Sequence, residues 1–234
     1  MWLVRRNPIA EPSTRLLCLP YAGGAAATYD GWVRHVPAGI DLAAVELPGR
    51  GRRFGEPPFR EFGALLEALH AEVAIDEGTV IFGHSLGALL AFELARRSQP
   101  RALVVSGCVA PHRAKERQAR SALSDEALVE ELATLGGTPR EVLDNAELMD
   151  LLLPVLRADF SVSESYRYRP DSPLGCTIVA LGGDSDDDVS EPDLAAWSEH
   201  TTGRFHSRIF AGDHFFIRQH EQEAVSWLLH EALA

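Results

Sequence analysis

The sequence predicts one α/β domain spanning residues 1–234, built on a mostly parallel sheet with helices on both faces. Three observations carry this. Short continuous apolar runs recur along the chain, and such runs suit strands covered on both faces. Helical stretches alternate with them, as crossovers between parallel neighbours require. A length of 234 residues with 46% apolar content supports a sizeable core and excludes a disordered chain.

The elements follow in order. Leu16-Leu17-Cys18-Leu19-Pro20 is the first strand-like run, and Leu42-Ala43-Ala44-Val45-Glu46-Leu47 the second. Thr79-Val80-Ile81-Phe82 is the third, followed by a buried helix over Ala88-Leu89-Leu90-Ala91-Phe92-Glu93-Leu94-Ala95. Ala102-Leu103-Val104-Val105-Ser106, Thr177-Ile178-Val179-Ala180-Leu181 and Ser207-Arg208-Ile209-Phe210 complete the set. There is no internal repeat and no low-complexity linker.

Between the fourth and fifth runs the pattern is helical only. Ser124-Asp125-Glu126 reads as a helix start. Thr138-Pro139-Arg140-Glu141 reads as a capping box with proline at the first helical position. Leu148, Leu151, Leu152 and Val155 form an apolar stripe at helical spacing, and Pro154 is expected to kink that helix. A helical insertion over about 111–170, at the carboxyl end of the sheet, is expected to lie over the site as a lid.

Gly83-His84-Ser85-Leu86-Gly87 joins the third strand to its helix. A serine flanked by glycines two residues away on each side, at a strand-to-helix turn, is the nucleophile elbow of the α/β-hydrolase fold. Side chains at positions 83 and 87 would collide with neighbouring backbone, which calls for glycine at both. The helix behind Ser85 favours negative charge at its N-terminus.

A serine hydroxyl needs a base, and the base needs an orienting acid. In this fold the chain order is serine, acid, histidine. Of nine histidines, His214 in Gly212-Asp213-His214-Phe215-Phe216 alone lies on a turn between the last strand and the last helix. Gly182-Gly183-Asp184-Ser185-Asp186-Asp187-Asp188-Val189 offers four aspartates after the fifth strand. Gly183, Asp186 and Val189 match the spacing Gly-x-x-Asp-x-x-Val, so Asp186 is the first candidate and Asp184 the next; Ser190 and Glu191 then start a helix. The developing oxyanion needs two backbone donors. One is the N–H of Leu86, and the other is expected from the loop Pro20-Tyr21-Ala22-Gly23-Gly24-Ala25.

A formal net charge of −12 argues against nucleic acid and against anionic membrane faces. Cys18, Cys108 and Cys176 lack metal-type spacing and read as small buried hydrophobes, and no metal is expected. Their sparse, odd number suits a reducing cytoplasm. The apolar run in Met1-Trp2-Leu3-Val4-Arg5-Arg6 is too short for a signal peptide, and no run of about 18 apolar residues suggests a membrane span.

Several further motifs carry a family resemblance: Pro20-Tyr21-Ala22-Gly23-Gly24, Glu46-Leu47-Pro48-Gly49-Arg50-Gly51, Leu135-Gly136-Gly137-Thr138-Pro139, Pro154-Val155-Leu156-Arg157-Ala158-Asp159-Phe160 and Tyr166-Arg167-Tyr168. With the serine and histidine motifs they resemble the type II thioesterases, the free-standing editing enzymes of polyketide and nonribosomal peptide assembly lines, over nearly the whole chain. The resemblance implies hydrolysis of acyl thioesters on the phosphopantetheine arm of acyl or peptidyl carrier protein domains. It carries the nucleophile onto Ser85, the acid onto Asp186, the base onto His214, and the oxyanion donors onto Ala22 and Leu86. It implies no cofactor, because the pantetheine arm belongs to the substrate. Tyr21 stands where the family usually has histidine, Leu86 where it has methionine and Asp187 where it often has proline.

Carrier proteins are acidic on their docking face, so a chain at −12 needs a local basic patch to receive one. Arg50, Arg52 and Arg53 form one candidate; Arg113, Lys115, Arg117 and Arg120 form another. A monomer is expected. The rival enzyme is a general carboxylesterase or short-chain lipase with the same triad. A product-cyclising terminal domain is disfavoured by the lack of a carrier domain or long linker, and a non-catalytic binder by the intact serine-acid-histidine order.

Overall fold

The computed structural model describes residues 1–114 and 119–234. Seven strands form one sheet: β1 (Leu3–Arg5), β2 (Thr14–Leu19), β3 (Ile40–Val45), β4 (Thr79–His84), β5 (Ala102–Ser106), β6 (Thr177–Gly183) and β7 (Phe205–Phe210). Their spatial order is β1-β3-β2-β4-β5-β6-β7. All neighbours are parallel except β1, which pairs antiparallel with β3. All six anticipated strands form. The second lies two residues earlier than the apolar run suggests, and β1 was not anticipated. Three residues ending in Arg5 carry no strand pattern of their own, and β3 supplies their order.

Alternate side chains go to opposite faces, as strand geometry dictates. Leu17, Leu19, Ile81, Leu103 and Val105 pack beneath α1 (Phe62–Glu72) and α2 (Leu86–Ala95). Leu16, Cys18, Phe82 and Val104 face the other way, against Tyr29, Trp32 and the last helix, Glu221–Leu233. Each fully buried Leu or Phe side chain contributes about 1.5–3 kcal/mol to holding these layers together. Register then builds the site. Leu19 lies beside Gly83, His84 beside Ser106 and Gly183 beside Phe210, so the loops leaving β2, β4, β6 and β7 emerge on one edge.

The insertion between β5 and β6 holds α3 (Asp125–Leu135), α4 (Arg140–Leu143) and α5 (Ala146–Ser165) around a core of its own, with Leu128, Leu132, Met149, Leu153, Leu156 and Phe160. Ser124 caps α3 by accepting from the Ala127 N–H at 3.2 Å. Two expectations are corrected here. The capping box at Thr138 does not form: Pro139 is the N-cap of α4, and its carbonyl accepts from Val142 and Leu143. The buried face of α5 is also turned from the expected stripe. Of that stripe Val155 is buried and Leu152 half-buried, whereas Leu148 and Leu151 are 41% and 53% exposed, and Met149, Leu153, Leu156 and Phe160 are inside instead. Several leucines in one turn leave the phase ambiguous, and contact with α3 and α4 resolves it. The helix runs through Pro154 to Ser165. Ser190 forms a capping box with Asp193 on α6 (Glu191–Ala195), as Ser190 and Glu191 suggested.

His200 is buried against Phe92 and Trp197, and its Nε2 lies 2.8 Å from Nδ1 of His112. Burial, and then the neighbouring His112, lower its pKa to about 4. Below about pH 6.5 the unfolded chain takes up a proton that folded His200 refuses until about pH 4. Stability is therefore expected to fall as pH drops through that window, with His200 contributing about 1–3 kcal/mol. Urea midpoints at pH 7.5 and 4.5 should show the loss, and His200→Gln should flatten the dependence.

Candidate active site

Ser85 sits between β4 and α2 at φ 55° and ψ −117°. It is the only non-glycine with positive φ among the described residues. Such backbone costs about 1–3 kcal/mol and persists only where surroundings enforce it. Here its N–H donates to the Ser106 carbonyl at 2.8 Å, and its carbonyl accepts from the Ala88 N–H at 2.9 Å. The expected crowding is present. A Cβ on Gly83 would come 2.1 Å from the Gly87 carbonyl oxygen, and one on Gly87 would come 2.3 Å from that of Leu19. Leu86 is the first residue of α2, so helix geometry gives its N–H no partner within the helix.

The loops after β6 and β7 meet beside this turn. Asp186 Oδ2 lies 2.8 Å from His214 Nδ1, and both side chains are buried. The other Asp186 oxygen accepts from the Asp188 N–H at 2.8 Å, and Val189 is buried beneath the loop. Asp184 faces elsewhere. Its Oδ1 accepts from the Gly212 N–H at 3.0 Å and from the Ser185 hydroxyl at 2.9 Å. The Gly212 bond, first, and the Ser185 bond hold the Asp184 carboxyl below its usual pKa. Of the two aspartates that the sequence left open, Asp186 meets the histidine and Asp184 ties down the turn that carries it. Gly183 permits this approach, because a Cβ there would strike the Gly212 and Asp213 carbonyl oxygens at 2.4 Å.

His84 lies under the site, its ring 5.1 Å from that of His214. Its Nδ1 pairs with the Ser106 hydroxyl at 2.9 Å. Burial, and then the positive charge that His214 can carry, push the His84 pKa well down, so this ring stays neutral. Cys108 is pushed up to about 12 by burial and by the charge of Asp186, which leaves an inert thiol.

A cavity of about 230 Å³ opens on Ser85 and His214. Tyr21, Ala22, Gly23 and Phe215 line its sheet side. Leu132, Leu135, Val142, Leu152, Val155, Leu156 and Phe160 of the insertion line the other. The chamber is therefore largely apolar, which suits an acyl chain. Tyr21 is on its wall, edge-on to Phe215 at 4.8 Å. Arg120 also lines it, neutralised by Glu131 at 2.7 Å and Asp188 at 3.0 Å.

The first basic cluster does not form the expected docking patch. Arg50 is buried against Asp159, and Arg53 is buried over the Trp2 ring at 3.8 Å while bonded to Glu56; of that trio only Arg52 is exposed. A triplet of arginines looks alike in sequence, but two of these point inward. Arg113 pairs with Asp193 at 3.0 Å, and Lys115 and Arg117 lie outside the described residues. Sequence reasoning also missed Asp159, whose carboxylate accepts from the Gly23 N–H at 2.7 Å. Arg50 and Asp159 each fall in a motif that carries the family resemblance, and that was the available signal.

Among the described residues no group of His, Cys, Asp and Glu is arranged to hold a metal ion, and no helix is long and apolar enough to cross a membrane.

A thioesterase-domain family model matches residues 14–233. The gramicidin S biosynthesis protein GrsT of Aneurinibacillus migulanus is 39% identical, over 97% of this chain and 92% of that protein. The type II thioesterase BorB from the borrelidin biosynthetic cluster superposes with a TM-score of 0.89 at 39% identity, over 99% of this chain and 97% of BorB. ClbQ, from the colibactin nonribosomal peptide synthetase/polyketide synthase pathway, gives a TM-score of 0.87 at 35% identity, over 94% and 96% of the two chains. With its elbow, its mostly parallel sheet and its cavity, the chain belongs to the thioesterase family, as a type II thioesterase of the α/β-hydrolase fold.

Proposed function

We propose that the protein removes acyl groups held as thioesters on the phosphopantetheine arm of acyl or peptidyl carrier protein domains, clearing or releasing them during polyketide or nonribosomal peptide synthesis. The observation that carries the reading is the Asp186–His214 pair, 2.8 Å apart, opening on the same apolar cavity as Ser85. Relatives named for gramicidin S biosynthesis and for the colibactin pathway support the assembly-line context.

Ser85 attacks the thioester carbonyl while His214 Nε2 takes the hydroxyl proton. Asp186 holds His214 in the tautomer that makes this possible and stabilises the imidazolium. The N–H groups of Ala22 and Leu86 receive the developing negative charge. The bond to sulfur breaks, the pantetheine thiol leaves with a proton from His214, and an acyl ester remains on Ser85. Water, deprotonated by His214, then attacks that ester and releases the free acid. The acyl chain lies against the insertion, which acts as the lid. No cofactor is required. We place the enzyme in the cytoplasm, acting as a monomer.

The test is hydrolysis of an acyl-loaded carrier protein, the matching acyl-N-acetylcysteamine thioester and the matching oxygen ester. The carrier-bound thioester is expected to show the highest kcat/KM, by about 10-fold or more over the free thioester, since remote contacts add binding energy. Faster cleavage of the oxygen ester would favour the general carboxylesterase instead.

A further inference from the structure

We propose that Arg50 and Asp159 form a buried clamp that positions the oxyanion loop, so that both are positioning residues for the thioesterase reaction. This rests on the serine mechanism above and concerns residues to which that mechanism gives no role.

The clamp joins three distant segments. Arg50, on the turn after β3, meets Asp159 of α5 through two parallel bonds, Nη1 to Oδ2 at 2.5 Å and Nη2 to Oδ1 at 2.8 Å. Both are almost fully buried, at 7% and 2% exposure. Asp159 Oδ2 also accepts from the Gly23 N–H at 2.7 Å, across 136 residues of chain. Arg50 Nη1 donates to the Gly24 carbonyl at 3.1 Å. The Pro48 carbonyl fixes the guanidinium from behind, accepting from Nε at 3.3 Å and Nη2 at 3.2 Å. The Gly24 N–H closes a turn onto the Tyr21 carbonyl at 2.8 Å.

Tyr21, Gly23 and Gly24 are thus tied by their backbones, and Ala22 is carried between them on the cavity wall. Gly23 holds φ +80°, a conformation that glycine adopts without strain and that turns its N–H toward α5. A buried ion pair is weak as a stabilising device, because desolvation offsets most of its attraction. Its bidentate fork is instead strongly directional. An oxyanion donor needs that directionality, since its value depends on lying within hydrogen-bond distance of an oxygen that bears charge only in the transition state. The same helix presents Leu156 and Phe160 to the cavity, so α5 both meets the substrate chain and holds the loop.

The prediction separates transition-state from ground-state effects. Asp159→Asn weakens the clamp but leaves Arg50 buried without its counter-charge. The double substitution Arg50→Met with Asp159→Leu removes both charges and keeps an apolar filling, so it reports even if the single variant fails to fold. In whichever variant folds, kcat on an acyl-N-acetylcysteamine thioester is expected to fall about 10- to 100-fold, a large part of what losing one oxyanion donor costs. KM should change less than about 3-fold. Affinity for an alkyl boronic acid, which adds to the serine hydroxyl and places a tetrahedral oxygen at the oxyanion position, should fall in parallel with kcat. Folded variants with wild-type kcat and boronate affinity would overturn the clamp, as would a lowered kcat with unchanged boronate affinity or a loss confined to KM. A wild-type protein that neither hydrolyses the thioester nor captures the boronate on Ser85 would overturn the serine mechanism itself, and the clamp with it.

Discussion

Ser85→Ala is expected to lower kcat for thioester hydrolysis by about 10⁴-fold or more, with the fold intact. Alanine fits wherever serine does, and the turn is held by backbone bonds, from the Ser85 N–H to the Ser106 carbonyl and from the Ala88 N–H to the Ser85 carbonyl, rather than by the hydroxyl. His214→Ala should cost a similar factor, because without the base the hydroxyl is a poor nucleophile near neutral pH. The double variant should be scarcely worse than either single one. Groups that act as a unit lose their function together, and what remains comes from substrate binding and the oxyanion donors. Asp186→Asn should also be slow, since an amide can hold the ring in the wrong tautomer. Steady-state rates on one acyl-N-acetylcysteamine substrate, alongside urea midpoints for each variant, check the set. Retention of more than about 1% of the rate in folded Ser85→Ala would refute the assignment of the nucleophile.

Gly83→Ala is expected to be the most disruptive single methyl that can be added near the site. Its Cβ would lie 2.1 Å from the Gly87 carbonyl oxygen, 2.3 Å from the Gly87 carbonyl carbon and 2.6 Å from the Ala88 nitrogen. All three belong to the backbone of the first turn of α2, so no side-chain rotation can relieve the overlap. Either the elbow opens or the strand and helix separate, and the cost should exceed about 4 kcal/mol. Gly182→Ala is the control. Its Cβ would meet only side-chain ends, Ile209 Cδ1 at 3.2 Å and Leu194 Cδ2 at 3.3 Å, and these can yield by a few tenths of an ångström. A loss of about 1 kcal/mol is expected there. Denaturant midpoints that rank the two variants the other way would show that the elbow relaxes more readily than its contacts suggest.

Much of the site was legible in sequence because its determinants are local. Gly83 and Gly87 serve a turn only a few residues long, and the same turn dictates the backbone of Ser85. His214 stood out by its place between the last strand and the last helix, which the structure confirms. Four aspartates within the turn after β6 could not be separated with equal clarity. Their roles depend on which oxygen reaches across 28 residues, to the His214 ring for Asp186 and to the Gly212 N–H for Asp184.

The arginines teach the same lesson from the other side. Arg50, Arg52 and Arg53 read as one basic cluster, but the turn after β3 sends the first into the fold toward α5 and lays the third over Trp2. Charge in sequence is a count, whereas charge at a surface depends on where the chain turns. The phase of α5 was likewise undecided by its own residues, because leucines at 148, 151, 152 and 153 allow more than one buried face. Packing against α3 and α4 selected Leu153 with Met149, Leu156 and Phe160.

By itself the sequence determined the alternation of strands and helices and the glycine-flanked elbow. Each is fixed by backbone geometry or apolar periodicity within about ten residues, a range over which side-chain identity constrains conformation directly. Only the tertiary structure decided which aspartate meets His214, which arginines are buried, and that Asp159 of the insertion grips the Gly23 backbone. Those pairings join segments far apart in the chain, and their partners are set by the register of the sheet and the seating of α5 upon it, which no local stretch of residues encodes.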